Sequence, residues 1–166
     1  MPEPASEFAE ILRRLNDGRV RYVLIGGLAM VLHGSAHVTQ DGNIGYARDR
    51  ENCALLAVIL RGMNARLRNA PPGLPFILDA QMFRDTQNLT LDTDFAPFDL
   101  LGHISGVEDF ESLYEPSILT EIEGVPVRIA SLDDLIAMKR AMDRPKDRNH
   151  LLELEALRQL RDAEIG

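Results

Sequence analysis

Apolar residues recur along this chain with two different periods, and the alternation between them divides it into helices and strands. Phe8, Ile11, Leu12 and Leu15 share one helical face while Glu7, Glu10, Arg13 and Arg14 lie off it, which predicts an amphipathic helix ending near Asp17-Gly18. Arg21 to Ile25 reads as a strand, Leu28 to His33 as a short apolar helix closed by Gly34, and Asn43 to Ala47 as a second strand. Asp49 is placed to cap a helix from about Arg50 to Leu60, with Leu55, Leu56, Ile59 and Leu60 turned inward. Three prolines and a glycine between Asn69 and Pro75 mark a loop, followed by a short helical piece near Asp79 to Arg84. Two hairpins come next: Leu89 to Thr93 with Phe98 to His103, around Asp94-Phe95-Ala96-Pro97, and Ile118 to Glu123 with Val125 to Ala130, around Gly124. Ser131-Leu132-Asp133-Asp134 resembles a capping box and opens a helix that Arg144-Pro145 interrupts. The last helix, roughly Lys146 to Arg161, repeats leucine at 151, 154, 157 and 160, a stripe suited to a core or to a dimer surface. The fold class expected is α/β (α+β): a small mixed β-sheet with packed helices and a C-terminal helical pair. One domain spans 1–166, with 131–166 as its helical part.

Composition narrows the partners. Hydrophobic residues at 45% and charged residues at 27% suit a soluble globular domain with a real core. The net charge of −8 repels nucleic acid, so a broad DNA-binding face is not expected. A local RNA contact stays open, because Arg61, Arg66 and Arg68, or Arg140, Arg144, Lys146 and Arg148, could gather into a basic patch. The single cysteine, Cys53, allows no internal disulfide and no zinc-thiolate cluster, which fits a reducing cytoplasm. The first residues lack a signal-peptide pattern and no apolar run has membrane-spanning length, so a cytoplasmic protein without a membrane partner is expected.

The chemistry concentrates between Tyr22 and Tyr46. An apolar strand breaks at Gly26-Gly27 and opens into a helix, which lets backbone N–H groups approach an anion with no side chain in the way. Asp41 follows on the next extended segment, and residues two apart on a strand face the same way, so Asp41 and Asn43 project together. Asp99 interrupts the apolar strand Phe98-Asp99-Leu100-Leu101, where a buried charge is costly unless compensated. Carboxylates beside a bound phosphate are what Mg²⁺ takes as anchors. Gly42 removes an inward side chain between Asp41 and Asn43 and would loosen that strand. His103 and His150 have no metal-spaced companions, Ser35 lies in no nucleophile elbow, and Gly26-Gly27 is not a dinucleotide-binding Gly-x-Gly-x-x-Gly element.

In order, Gly26-Gly27, thirteen intervening residues, Asp41 with Ile44 three positions on, and later Phe98-Asp99-Leu100 resemble the nucleotidyltransferase superfamily with the DNA-polymerase-β-type catalytic core. Gly34-Ser35, Thr39, the run Ser131 to Arg140 and Arg144-Pro145-Lys146-Asp147 resemble its small bacterial branch related to toxin–antitoxin nucleotidyltransferases. The resemblance implies that Gly26 and Gly27 seat an NTP, that Asp41 and Asp99 are the catalytic acids, and that Asp41, Asn43 and Asp99 hold Mg²⁺. It assigns Lys139 and Lys146 to phosphate neutralisation. The implied reaction moves an NMP from the NTP to a hydroxyl acceptor on RNA, protein or a small molecule. The chain departs from the family pattern at Asn43, which stands where the second acidic residue is expected and brings no charge, and at Gly42 and His37. The alternative is therefore a catalytically silent nucleotidyltransferase-like protein that binds a nucleotide or a partner protein, for instance within a toxin–antitoxin pair. A homodimer through the last helix is a third role.

Overall fold

The computed structural model describes residues 4–36, 42–71, 73–74 and 76–165. Seven strands form one mixed sheet in the order β3-β4-β5-β2-β1-β7-β6. They are β1 (Tyr22–Ile25), β2 (Gly42–Tyr46), β3 (Arg66–Leu67), β4 (Asn88–Asp92), β5 (Phe98–Leu101), β6 (Ile118–Ile122) and β7 (Val125–Ile129). The helices are α1 (Pro4–Asp17), α2 (Gly26–Leu32), α3 (Arg50–Gly62), α4 (Ala80–Asp85), α5 (Phe110–Tyr114), α6 (Leu132–Met142) and α7 (Pro145–Ile165). This is the mixed α/β architecture expected from the alternating periods.

The central strands explain why β1 reads as a continuous apolar run. It lies between β2 and β7, and all four of its residues are buried. It pairs antiparallel with β2, setting Ile25 opposite Asn43, and parallel with β7. β2 in turn pairs parallel with β5, setting Asn43 opposite Asp99. Both expected hairpins are present, β4 with β5 and β6 with β7, each antiparallel. The α1 stripe of Phe8, Ile11, Leu12 and Leu15 is fully buried in the core. Asp49, Asp79, Asp109 and Ser131 cap α3, α4, α5 and α6 by accepting a hydrogen bond from the backbone N–H three residues on.

Three details differ from the sequence expectation. The helix after β1 begins at Gly26 rather than Leu28, because the glycines themselves form its first turn. The two-residue β3 and the five-residue α5 are too short to carry a period. The leucine stripe of α7 is core only in part: Leu154 is fully buried, Leu151 and Leu157 are partly buried, and Leu160 faces solvent. Among the described residues no helix is long and apolar enough to cross a membrane.

Candidate functional site

Strand register brings the sequence candidates together. The end of β1 and the starts of β2 and β5 lie side by side, so Ile25, Asn43 and Asp99 form one row across three strands. Gly26 follows immediately and turns the chain into α2 with φ +74°, a backbone conformation that L side chains rarely adopt. A Cβ at Gly26 would stand 2.7 Å from the Asn43 side-chain amide, so the turn needs glycine for its angle and for its closeness to Asn43. Gly27 is the next residue of the same helical turn, and no side chain caps the N-terminal end of α2. Gly42 is likewise demanded by its surroundings: a Cβ there would lie 1.8 Å from the Phe8 ring, which fills the space on that side of β2. The strand is packed by Phe8 rather than loosened by the missing side chain.

Asn43 and Asp99 line a cavity of about 380 Å³ together with Thr90, Met142, Arg144 and Lys146. Of these, Lys146 projects from the first turn of α7 and is exposed, and among the described residues no carboxylate lies within ion-pairing distance of it. Arg144 and Pro145 fix that corner. Pro145 occupies the first helical position, where its missing N–H costs nothing. Asp147 accepts from the Arg144 backbone N–H at 3.1 Å, the reciprocal half of a capping box.

Asp147 is completely buried and binds two cations, Arg144 Nε at 2.5 Å and Lys139 Nζ at 3.2 Å. Hydrogen bonds from Arg144, then from Lys139, hold its carboxyl far below the usual carboxylate range against the opposing effect of burial. Lys139 thus reaches the site through Asp147 and is not part of the cavity wall.

Asp99 has its own cation. Arg68 Nη2 donates to Asp99 Oδ1 at 2.9 Å and to the Leu91 carbonyl at 2.8 Å, and its Nε donates to Asp92 Oδ1 at 3.3 Å. The Arg68 backbone N–H donates to the Thr90 carbonyl at 3.1 Å, continuing the β3–β4 ladder. The Asn43 amide is satisfied with its nitrogen turned to the Gly42 carbonyl at 3.0 Å and to Asp99 Oδ2 at 3.3 Å. Each carboxylate oxygen of Asp99 therefore accepts from a protein donor. Arg68 escaped the sequence reading as a site residue, since only the β3–β4–β5 pairing carries it to Asp99 and no motif surrounds it.

Asp41, the first expected acid, lies outside the described residues, as do His37 and Thr39. Among the described residues no three of His, Cys, Asp and Glu are grouped to hold a metal ion. The described part of the expected ligand set is one carboxylate, Asp99, bonded to a guanidinium, and one amide, Asn43. The basic residues singled out as RNA contacts are mostly engaged: Arg66 with Asp94, Arg68 with Asp92 and Asp99, Arg140 with Glu155, Arg148 with Asp143, and Arg61 with the Leu78 carbonyl.

No protein-family model and no curated protein matches the chain. Solved structures do match its fold. The antibiotic-resistance factor ANT(2″)-Ia, determined in solution, has a TM-score of 0.57 at 14% identity, covering 97% of this chain and 92% of its own. The same factor in complex with adenylyl-2″-tobramycin gives 0.56 at 14%, covering 98% of each chain. The lincosamide antibiotic adenylyltransferase LnuA, lincomycin-bound, gives 0.60 at 15%, covering 91% of this chain and 96% of its own. The architecture is therefore of the nucleotidyltransferase type, and at these identities the likeness establishes the fold alone.

Proposed function

We propose that the chain binds a nucleoside triphosphate in the Asn43–Asp99 cleft and moves its NMP to a hydroxyl acceptor. The observation that carries this reading is one cavity of a nucleotidyltransferase-type fold lined by the Asn43–Asp99 pair and Lys146, with the Gly26 turn packed against Asn43. Backbone N–H groups at Gly26 and Gly27 and the Lys146 ammonium receive phosphate oxygens, while Asp41 and Asp99 are the carboxylates of the reaction. The acceptor oxygen forms a bond to the α-phosphorus, the bond to pyrophosphate breaks and pyrophosphate leaves, and the hydroxyl proton passes to solvent water. The adenylylated tobramycin of one structural neighbour and the lincomycin of another favour a small-molecule acceptor over RNA or protein. Mg²⁺ enters this reading through the family resemblance and Asp41, and no step here depends on it. The protein is proposed to be cytoplasmic.

A second reading, a silent nucleotide-binding or partner-binding protein such as one half of a toxin–antitoxin pair, is favoured by Asn43 and by the Arg68 bond to Asp99. One assay separates the two: the protein is incubated with α-labelled NTPs, Mg²⁺ and a panel of aminoglycosides, lincosamides and RNA, and pyrophosphate and labelled acceptor are followed. Label transfer that disappears in Asp99→Asn supports the transferase. Transfer that is absent in the native chain but present in Asn43→Asp supports the silent protein, and transfer unaffected by Asp99→Asn removes Asp99 from the reaction.

A further inference from the structure

From the outer face of α7 we infer that two copies of this chain pair antiparallel along their last helices, α7 on α7 about Ala156, which brings the partner's Glu164 to the rim of the cleft. At about 100° per residue, Asn149, Leu152, Ala156, Leu160 and Ala163 fall within about 40° of one line, on the side opposite the buried Asp147 and Leu154. All five are exposed, and Leu152 and Leu160 stand at 68% and 64%. They form an apolar line about 20 Å long on the side of α7 that packs on nothing in its own chain.

The order of charges along α7 selects a second copy, and an antiparallel one, as the occupant of that line. Lys146 and Arg148 stand in its first turn and Asp162 and Glu164 in its last, all exposed, which is the reverse of what the helix dipole favours. Asp147 between the two bases does not change this, because it is buried and committed to Arg144 and Lys139. An antiparallel copy lays the acids of one helix beside the bases and the N-terminal end of the other, whereas a parallel copy would set like charges together. With Ala156 on the two-fold axis, Leu152 comes level with the partner's Leu160 and Asn149 with the partner's Ala163. The single methyl of Ala156 lets the helices approach there. Lys146 and Glu164 share one flank of the apolar line, so Lys146 faces the partner's Glu164. Among the described residues neither has an ion-pair partner in its own chain. The acids nearest the axis, Glu153 and Glu155, are engaged with Ser35 and Arg140 and do not oppose the approach. Because Lys146 also lines the Asn43–Asp99 cavity, the second copy adds a carboxylate to its rim. The inference stands without the nucleotide reading.

The test is sedimentation velocity of the whole protein at low salt, from about 1 to about 200 µM. The mass is expected to rise across that range from one chain to two. Ala156→Glu, which sets two carboxylates against each other on the axis without entering the core, is expected to weaken the association at least roughly tenfold. Lys146→Glu is expected to weaken it as well, and combination with Glu164→Lys to restore it. Single cysteines on the exposed line fix the direction, since the native Cys53 is buried. Under air oxidation Ala156→Cys is expected to link to its own copy, while Asn149→Cys is not, because the antiparallel pair holds those two residues about 20 Å apart. A native chain that stays monomeric across the range overturns the inference. So does a dimer that persists in Ala156→Glu, or one that cross-links as readily through Asn149→Cys.

Discussion

At the scale of single residues, two glycines decide the geometry of the cleft, and each does so for a different reason. Gly26 is held at φ +74° against Asn43, so Gly26→Ala adds backbone strain and drives a methyl group into the amide that bonds Asp99. The variant is expected to lose about 2 kcal/mol in urea unfolding and to bind NTP analogue more weakly. Unaltered stability would mean that the turn relaxes at no cost. Gly42 is constrained by packing instead, since its missing Cβ is the space that Phe8 occupies. Gly42→Ala is expected to cost about 2 kcal/mol, and Phe8→Leu should relieve part of that, giving a favourable coupling of about 1 kcal/mol in a double-mutant cycle. Strict additivity would separate the two positions. The sequence marked Gly42 as a departure from the family pattern, yet its cause was illegible there, because Phe8 and Gly42 meet only when α1 lies on the sheet.

At the scale of elements, the junction of α6 and α7 sets where Lys146 points. Ser131 starts α6, Asp143 ends it in a left-handed conformation, and Pro145 restarts the chain as α7. These boundaries were legible, since capping residues and proline act locally. What was not legible is that Lys139 and Arg144 close over the buried Asp147 carboxylate in one knot, which only the packing of α7 on α6 creates. Lys139 carries its charge into that knot, and under the proposed function it acts on the phosphate site through the placing of Arg144 and Lys146. Asp147→Asn leaves Lys139 poorly matched in a sheltered site and is expected to cost about 3 kcal/mol. Because the native carboxyl titrates below its unfolded value, its stabilisation is complete above the ordinary carboxylate pKa of 3.8 and is lost as pH falls below that. Urea unfolding between neutral and strongly acid pH checks both statements. The native chain should weaken in the acid limb more than Asp147→Asn does, and parallel curves would show that the knot contributes nothing.

At the scale of the whole molecule, the sheet order supplies what no local pattern could. Helices, hairpins and the central buried strand follow from periodicity, while the adjacency of β2 to β5 and of β3 to β4 comes from a pairing pattern that leaves no short-range trace. That pairing converts three distant segments into the Arg68–Asp99–Asn43 cluster. It also leaves α7 as the outermost helix of the C-terminal pair. Its leucines bury only one edge, and polar bonds tie the rest of it to the body: Ser35 donates to Glu153, Arg140 pairs with Glu155 and Arg158 with Asp133.

One further tie makes α7 sensitive to acid. His33, buried at the end of α2, faces the Ala130 carbonyl with Nε2 at 2.7 Å and the Arg161 guanidinium with Nδ1 at 3.2 Å. The carbonyl can only accept and the guanidinium can only donate, which selects the neutral ring with its proton on Nε2. Burial first, and the Arg161 charge in addition, hold the His33 pKa below its ordinary 6.5. In the unfolded chain the ring takes up its proton near 6.5, whereas in the folded chain it does so only at lower pH. The unfolded state therefore binds more protons in that window, and stability falls as pH drops from about 6.5 toward the folded value while being complete above it. Protonation would also place an N–H against the Arg161 donor and release the last turns of α7 from α2. The native chain is expected to lose stability as pH falls below the ordinary imidazole value of 6.5 in urea unfolding, with amide exchange rising first near Arg161. His33→Gln, which cannot titrate, should flatten that slope. A native curve already flat across the window would show that His33 accepts a proton in place and that α7 is held without it.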